Sequence, residues 1–223
     1  MSYPNLDLEI RYLKCFSLII GVDEAGRGPL AGPLTIAGVS VDKNLISKNS
    51  ALLKLGINDS KKLTPRKRQE IIEQTRRSTT FFSIIHTPNT YIDKFGISAA
   101  FQHSCGRMIE KLSAVKGKIL ILTDFFKIKN LPDRIKNIAV KKGDQKSILI
   151  ALSSIYAKVQ RDLLMQNLHR RYPAYNWRKN KGYGTAEHLH AIQKYGLSKY
   201  HRRTFAQKYR LVHKNQIENQ QTA

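Results

Sequence analysis

Residues 16–41 read FSLIIGVDEAGRGPLAGPLTIAGVSV, two apolar stretches joined by a segment rich in glycine and proline. The apolar residues 16–22 predict a buried strand, and residues 34–41 predict a second one. Residues 23–33 contain three glycines and two prolines, which is typical of a tight, positionally constrained connection. The stretch therefore predicts a strand, a constrained loop and another strand.

Beyond this stretch, strand-like and helix-like segments alternate. Thr64 is expected to cap a helix that begins at Pro65 and ends at about Arg77. Further strands are predicted at residues 80–87, 118–123 and 135–141, and further helices at 98–114, 147–170 and just after Thr185. Strands mixed with helices predict an α/β fold, in which helices flank a central sheet and the C-terminal part is helical.

The charge of the chain indicates a polyanionic partner. Its 223 residues include 39 Lys and Arg against 16 Asp and Glu, so the formal net charge is +23. A surplus of this size repels itself unless a polyanion neutralises it, and basic patches are the electrostatic footprint of phosphate contacts. Apolar residues make up 41% of the chain and the mean hydropathy is −0.40, which argues against wholesale disorder. The composition predicts a folded protein that binds nucleic acid. It does not distinguish an enzyme from a non-catalytic binding protein.

The same sequence predicts a cytoplasmic monomer with no membrane partner. Its longest nearly apolar stretch, residues 15–22, is too short to cross a bilayer, and its first ten residues lack the features of a secretory signal. Cys15 and Cys105 form neither a disulfide framework nor a metal-ligand pair by spacing, so we expect reduced thiols. We predict one domain over residues 1–206 and a polar, flexible tail over 207–223.

Acidic side chains follow two of the predicted strands directly. Asp23 and Glu24 come after the first strand, and Asp124 comes after the apolar residues 119–122. Ligands of α/β sheets gather outside the carboxyl ends of the strands, so this position indicates a site. The ordinary alternative, that these residues are loop acids or helix caps, stays open at this point.

A fourth acid lies on the long helix predicted at residues 147–170. The apolar stripe of this helix has four-three-four spacing: Ile148, Leu152, Ile155 and Val159. The next position of the series is Asp162, and a carboxylate that faces the core is costly without a partner or a metal ion. Asp162 is therefore expected either to point toward the other three acids or to pair with Lys158 or Arg161.

Four carboxylates without a nearby His or Cys would suit Mg²⁺ or Mn²⁺ rather than zinc. Such clusters commonly hold two metal ions, which activate a water molecule and stabilise the leaving oxygen of a phosphodiester. A protein that only binds nucleic acid would have no use for a buried acidic cluster. The residues themselves thus predict a metal-dependent nuclease or polynucleotidyl transferase.

Several blocks of the sequence together resemble the ribonuclease HII family. The first block is GVDEAGRGPLAGP at residues 21–33. The others follow in family order: DSKKL at 59–63, KGD at 142–144, SSIYAKVQRD at 153–162, GYGT at 182–185 with His188, and HRRTF at 201–205. The blocks extend over nearly the whole chain, from about residue 19 to 206.

The resemblance implies an RNase H-like fold with a central mixed sheet. It implies an endonuclease that hydrolyses the RNA strand of RNA/DNA hybrids and cuts 5′ of single ribonucleotides in duplex DNA, leaving 5′-phosphate and 3′-hydroxyl ends. The acidic quartet of the family maps onto Asp23, Glu24, Asp124 and Asp162, with Mn²⁺ or Mg²⁺ as the cofactor. The implied partners are RNA/DNA hybrid duplexes and ribonucleotide-containing DNA, with a role in ribonucleotide excision.

The resemblance also implies residues that read the substrate. The Gly-Arg-Gly loop of the family maps onto Gly26, Arg27 and Gly28, whose backbone would approach the ribose 2′-hydroxyl and the neighbouring phosphate. Tyr183 matches a tyrosine that stacks on the deoxyribose beyond the ribonucleotide, where the 2′-hydroxyl distinguishes RNA from DNA. Without the resemblance, Tyr183 would be explained as a half-buried aromatic side chain in a glycine-rich turn.

The basic and imidazole side chains in the remaining blocks can be explained by structural roles as well as by functional ones. Lys61, Lys62 and Arg202 are expected phosphate contacts, although a solvated charge would explain each of them as well. His188 and His201 are expected to brace loops through hydrogen bonds rather than to bind metal.

One departure from the family pattern concerns the third carboxylate. The family usually has glycine directly after it, whereas Asp124 is followed by Phe125, so Asp133 is the fallback for this position. We see no sliding-clamp motif in the tail. Two other functions stay open: a resolvase-type RNase H-like DNA nuclease, and a non-catalytic RNA-binding protein.

Overall fold

The computed structural model describes residues 3–46 and 51–210 of the chain. Its strands are β1 (Leu18–Ala25), β2 (Leu34–Val41), β3 (Thr79–Thr87), β4 (Ile119–Asp124) and β5 (Ile135–Val140). Its helices are α1 (Asp7–Tyr12), α2 (Ala51–Lys54), α3 (Pro65–Thr75), α4 (Asn89–Glu110), α5 (Ile148–Arg171), α6 (Trp177–Asn180), α7 (Ala186–Tyr195) and α8 (Arg203–Arg210).

The strands form a mixed sheet in the order β3-β2-β1-β4-β5. Strand β1 runs antiparallel to β2 and parallel to β4, and β4 runs parallel to β5. All eight residues of β2 and the first five of β4 are buried, which is expected of strands that are covered on both faces. The predicted α/β class with a central mixed sheet is confirmed.

The ends of the predicted strands differ from the observed ones by at most three residues, and the largest difference is at the carboxyl end of β1. That strand was expected to end at Val22, whereas it continues through Asp23 and Glu24 to Ala25. Asp23 and Glu24 pair with Ala37 and Ile36 of β2, so the antiparallel ladder keeps these acidic residues extended. The two acids therefore belong to the strand rather than to the loop that follows it.

The helix predictions differ from the structure mainly at α4. Thr64 caps α3 as expected, because its hydroxyl accepts the Lys67 amide at 3.2 Å. Helix α4 begins nine residues before the predicted residue 98, with a break at Gly96 (φ 82°, ψ 165°). The helix was predicted to start at residue 98 because only the sequence after Gly96 was interpreted as helical. Helices α1, α2, α6 and α8 were not predicted.

The chain divides into two compact units. The first contains the described residues of Met1–Ala25, Thr35–His86 and Phe101–Gln160, and the second those of Gly26–Leu34, Thr87–Ala100 and Arg161–Ala223. The predicted tail over 207–223 lies mostly outside the described residues, and so does the segment in which we saw no sliding-clamp motif. Residues 207–210 form the end of α8. One domain over residues 1–206 stays a prediction.

The core of the first unit packs α5 closely against the sheet. A Cβ atom on Gly21 of β1 would lie 2.1 Å from the carbonyl atoms of Leu149, so only glycine permits this approach. The Ser153 hydroxyl, one turn later, donates to the Gly21 carbonyl at 2.7 Å. Helix α5 is therefore held tightly over β1, directly before the acidic end of the strand.

The second unit has a separate aromatic core around Trp177. Tyr175 stacks on the Trp177 ring with a centroid separation of 5.1 Å, and Tyr172 contacts the same ring at 5.8 Å. Leu30 and Met165 belong to the same buried cluster. The loop between β1 and β2 is thereby anchored in this unit.

Candidate active site

The register of β1 and β4 places two carboxylates beside each other. Val22 pairs with Thr123 in the parallel ladder, and Asp23 and Asp124 are the next residues of their strands. Paired residues of parallel strands point to the same face of a sheet, and Asp124 is the last residue of β4. Asp23 and Asp124 therefore converge near the carboxyl ends of neighbouring strands, as predicted.

Asp23 carries a strong electrostatic perturbation. Its side chain is buried, and this burial raises its pKa well above the ordinary range. The neighbouring charge of Glu24 and, more weakly, that of Asp124 raise the pKa further, while hydrogen bonds from the Glu24 amide and the Ser154 hydroxyl lower it. The negative charges thus oppose one another, and a cation placed among them would relieve that repulsion.

Asp124 is oriented by the loop that precedes α5. Its Oδ1 accepts the Gly143 amide at 2.8 Å, and a Cβ atom on Gly143 would approach the Asp124 Cα to 3.3 Å. The next residue, Asp144, is partly buried, which raises its pKa, and the charges of Asp124 and Asp59 raise it further. The region around Asp124 is therefore more acidic than the predicted quartet alone.

Lys61 and Lys62 belong to the same neighbourhood. Both side chains are exposed, and their charges lower the pKa of Asp144. They follow Ser60, whose hydroxyl lies 2.9 Å from that of Ser154 on α5. The two lysines are thus accessible cations close to the acidic strand ends, while their contact with phosphate stays a prediction.

The donor set fits a hard cation better than a soft one. Asp23, Glu24 and Asp124 supply carboxylate oxygens only, which are the ligands that Mg²⁺ and Mn²⁺ prefer. Within residues 3–46 and 51–210, however, no three His, Cys, Asp or Glu side chains are grouped closely enough to hold one metal ion. The charges of Glu24 and Asp124 raise the pKa of Asp23, but the three acids do not form a complete coordination sphere, so metal binding by the quartet stays a prediction.

Helix α5 buries an arginine where an aspartate was expected to face inward. Asp162 is only partly buried, whereas its neighbour Arg161 is 1% exposed. Residues 147–157 are all buried, so the first half of this helix is enclosed on every side rather than along one stripe. The apolar stripe therefore does not decide which side chain faces inward. Burial lowers the pKa of Arg161, while the charges of Tyr183 and Asp162 oppose this shift.

Arg161 stabilises the loop between β1 and β2 through hydrogen bonds to its backbone. Its guanidinium donates to the carbonyls of Pro33 at 3.1 Å, Ala31 at 3.0 Å and Lys181 at 3.0 Å. Three donors in a fixed planar fork explain why an arginine occupies this buried position.

Arg202 completes this support, which corrects its expected role as a phosphate contact. The residue is 0% exposed, and its guanidinium donates to the carbonyls of Gly26 at 2.6 Å, Arg27 at 2.9 Å and Gly32 at 2.9 Å. Burial and the nearby charge of Arg161 lower its pKa to about 9, so it remains charged at neutral pH. Arg202 thus fixes the Gly-Arg-Gly loop, residues 26–28, and is not available to bind phosphate.

The two glycines of the Gly-Arg-Gly loop meet different requirements. Gly26 has φ 96°, and a Cβ atom there would lie 2.1 Å from Nε of Arg161, so the fold itself requires glycine. Gly28 is exposed, has no left-handed backbone, and a Cβ atom would meet only the Tyr183 ring, at 4.0 Å. The fold alone does not explain a glycine at position 28, whereas close approach of a ligand would.

Tyr183 lies beside this glycine, with 43% of its surface exposed. Its carbonyl accepts the Thr185 amide at 2.8 Å and lies 2.8 Å from Nδ1 of His188. The Arg161 guanidinium lies 5.9 Å from the ring centroid. The backbone of Tyr183 is therefore fixed while its ring faces outward.

His188 and His201 brace this region through hydrogen bonds, as predicted. Trp177 donates from Nε1 to Nε2 of His188 at 3.0 Å, and Nε2 of His201 lies 3.1 Å from the same atom. The Ser198 amide donates to Nδ1 of His201 at 2.9 Å. Burial, together with His188, lowers the pKa of His201 to about 3, so this pair is neutral at physiological pH.

The turn after Asp124 has the backbone that a glycine would adopt most easily. Phe125 has φ 63°, and the Phe126 amide donates to the Asp124 carbonyl at 2.7 Å across it. The fallback residue Asp133 is exposed two residues before β5, which runs parallel to β4 and therefore begins at the opposite edge of the sheet from Asp124. The structure thus favours Asp124 over Asp133 as the third acid.

Sequence reasoning missed the roles of three residues. Arg161 and Gly143 lie inside quoted motifs, and their functions depend on contacts with distant parts of the chain that spacing does not reveal. Asp144 is the acid of the KGD block, and its position in that motif was the available signal.

No helix in the described part of the chain combines the length and the apolar character needed to cross a bilayer. The cytoplasmic location and the monomeric state stay predictions.

Comparison with known proteins identifies close relatives of this chain. The family model for ribonuclease HII matches residues 20–208. A ribonuclease HII of Wolbachia sp. subsp. Drosophila simulans is 44% identical over 207 residues, which cover 92% of this chain and 97% of the relative.

Solved structures show the same fold. The crystal structure of ribonuclease H2 from Pyrococcus horikoshii OT3 has a TM-score of 0.66 at 25% identity, covering 86% of this chain and 97% of that one. A Bst-RNase HIII structure in complex with Mn²⁺ has a TM-score of 0.65 at 19% identity, covering 87% of this chain and 69% of that one.

Proposed function

Because the chain belongs to the ribonuclease HII family, we propose that it is an endoribonuclease that hydrolyses the RNA strand of RNA/DNA hybrids. The proposal includes cleavage 5′ of single ribonucleotides in duplex DNA, with 5′-phosphate and 3′-hydroxyl products. One observation carries it: two carboxylates, Asp23 and Asp124, occupy adjacent positions on parallel strands, and burial with mutual repulsion raises the pKa of Asp23.

The acidic residues are proposed to bind two divalent ions, Mn²⁺ or Mg²⁺. Asp23, Glu24 and Asp124 would hold them, and Asp162 enters the proposal through its sequence motif alone. When bound, such ions would activate the attacking water and stabilise the departing 3′-oxygen. The protein's own contribution is to hold Asp124 in place through the Gly143 amide and to keep Asp23 away from bulk water.

The Gly-Arg-Gly loop is proposed to recognise the ribonucleotide. Arg161 and Arg202 engage five carbonyls of residues 26–33, so the loop is rigid before substrate arrives. The open space over Gly28 would let the backbone approach a 2′-hydroxyl, and Tyr183 would pack against the adjoining sugar. These two features support recognition of the sugar rather than of the base sequence.

The catalytic proposal is tested on three matched duplexes: an RNA/DNA hybrid, DNA with one ribonucleotide, and all-DNA. We expect the wild type to cut the first two with Mg²⁺ or Mn²⁺ and none with EDTA. Asp124→Asn should lower kcat by about a hundredfold or more, because the loss of one carboxylate charge weakens cation binding. Asp133→Asn, which removes an exposed acid of the neighbouring loop, should stay within about twofold of wild type.

Other outcomes distinguish the two remaining functions. Cleavage of the all-DNA duplex would indicate a resolvase-type nuclease. Binding that is equal with and without divalent ions, with no cleavage of any duplex, would indicate a non-catalytic RNA-binding protein. Full activity of Asp124→Asn would remove this residue from the site.

A further inference from the structure

The turn that follows Asp124 contains an exposed aromatic side chain on an unfavourable backbone. Phe125 is 65% exposed and has φ 63°, a region that side chains other than those of Gly, Asn and Asp rarely adopt. The hydrogen bond from the Phe126 amide to the Asp124 carbonyl closes a three-residue turn around it, and such turns with positive φ are rare and strained. A large apolar side chain thus occupies a position that glycine would fill at lower cost.

The surrounding structure keeps this turn in one conformation. The Phe125 amide donates to the Val140 carbonyl at 3.0 Å, and the Thr123 hydroxyl donates to the Phe126 carbonyl at 2.5 Å. The Gln102 side chain donates to the Lys127 carbonyl at 2.8 Å. Backbone strain that is overdetermined in this way is characteristic of functional sites.

The ring of Phe125 is also held in place. It contacts Phe126 edge-on at a centroid separation of 5.2 Å, and Phe126 in turn contacts the buried Phe101 at 5.4 Å. A ring supported on one side by packed aromatic side chains presents its other side to solvent at little cost in side-chain entropy. It is therefore a preformed contact surface next to the acidic residue Asp124.

We propose that Phe125 packs against a sugar of the nucleic acid next to the scissile phosphate and thereby contributes to substrate affinity. This inference rests on the proposed function, because it takes the phosphodiester to be bound at Asp124. The wide, shallow minor groove of an A-like hybrid displays its sugars, so an exposed ring can reach them without unstacking a base. The formal net charge of +23 favours a polyanionic ligand over an apolar one for the protein as a whole.

The test replaces Phe125 by Gly and by Tyr and measures KM, kcat and the thermal midpoint. Phe125→Gly should raise KM for an RNA/DNA hybrid on the order of tenfold, with kcat within about twofold of wild type, because one aromatic contact is lost. It should also raise Tm by about 2–4 °C, because the left-handed backbone is relieved. Phe125→Tyr keeps the ring and should retain the wild-type KM.

A matched control separates strain relief from ring loss. Asn130 lies in the same β4–β5 connection, is exposed and has φ 52°, so Asn130→Gly changes a left-handed position without removing a ring. Its KM should equal that of the wild type. A Phe125→Gly enzyme with unchanged KM, or one with lowered kcat instead, would overturn the proposal. If the wild type does not cleave, the affinities of the same variants for the hybrid can be compared by fluorescence anisotropy. Failure of the proposed function is then distinguished from failure of the proposed contact.

Discussion

At the scale of single residues, buried arginines do more for the proposed site than exposed ones. Arg161 and Arg202 together donate six hydrogen bonds to backbone carbonyls, five of them in residues 26–33. The net charge predicted phosphate contacts at the surface, whereas these two guanidinium groups are directed inward. Their function is to give a glycine-rich loop a single conformation, which its own sequence would not ensure.

The two glycines of that loop give a paired prediction. Gly28→Ala should leave Tm within about 1 °C of wild type, because the added methyl group meets no protein atom closer than 4.0 Å. It should nevertheless lower kcat/KM on a single-ribonucleotide duplex by tenfold to about a hundredfold, because the methyl group would occupy the space of the approaching sugar. Thermal unfolding and steady-state cleavage measure the two effects.

Gly26→Ala is the matched comparison and should differ in stability. Its methyl group would lie 2.1 Å from Arg161 on a backbone with φ 96°, so we expect a loss of about 1–3 kcal/mol in the free energy of unfolding. Should Gly28→Ala keep full activity, the glycine would have no role in substrate approach.

At the scale of secondary structure elements, most strands and long helices followed from apolar periodicity and capping residues. Residues 34–41 form a strand with the predicted bounds, and Thr64 caps α3. The extension of β1 through Asp23 and Glu24 could not be predicted locally, since it depends on pairing with β2. The inward position of Arg161 was missed for a similar reason, because the carbonyls that it binds lie more than a hundred residues earlier, apart from that of Lys181.

The candidate site was predictable to the extent that it depends on strand ends. Asp23 and Asp124 were placed together from the position of each acid after an apolar strand, and the register confirms this. Arg202 illustrates the limit, because a residue in a motif can serve the loop rather than the ligand, and only its burial reveals the difference.

Helices α1 and α5 meet through Glu9, and this contact predicts a pH dependence. Glu9 is 0% exposed, and its Oε1 accepts the Ser147 hydroxyl at 2.6 Å and the Leu149 amide at 3.0 Å. Within the described part of the chain, its buried Oε2 has no hydrogen-bond partner. Burial is the dominant influence and raises its pKa, so the fold favours the protonated carboxyl.

The sign of the effect follows from linkage. A carboxyl whose pKa is raised by folding stabilises the protein below its unfolded pKa of 4.5, and this contribution is lost as the pH rises through the folded value. The free energy of unfolding of the Glu9→Gln protein at pH 7 should therefore equal that of the wild type or exceed it by up to about 1 kcal/mol. Above pH 4.5 this free energy should also vary less with pH than that of the wild type. Denaturant unfolding across this range provides the measurement. Glu73→Gln, at an exposed acid of α3, should show no such change, and a Glu9→Gln protein that is clearly less stable at pH 7 would contradict the prediction.

At the scale of the whole molecule, the charge of +23 sets how affinity depends on salt. Binding that neutralises several phosphates releases counterions, so the logarithm of the association constant should fall linearly with the logarithm of salt concentration. Between 50 and 200 mM salt we expect a loss of about a thousandfold or more in affinity for an RNA/DNA hybrid.

This dependence should be similar for all-DNA duplexes of the same length, because phosphate contacts do not distinguish ribose from deoxyribose. Titrations by fluorescence anisotropy at several salt concentrations measure both slopes. A nearly flat slope would show that the basic surface does not contact the duplex.

The parallel pairing of β1 with β4 has a consequence for which length changes the chain can tolerate. Side chains alternate along a strand, so inserting or deleting one residue before Asp124 within β4 would turn its carboxylate to the opposite face of the sheet. A matching shift in β1 could not compensate, because that strand is also locked to β2. Variants of this protein that remain active should therefore keep the lengths of both strands, while the exposed part of the β4–β5 connection can grow or shrink.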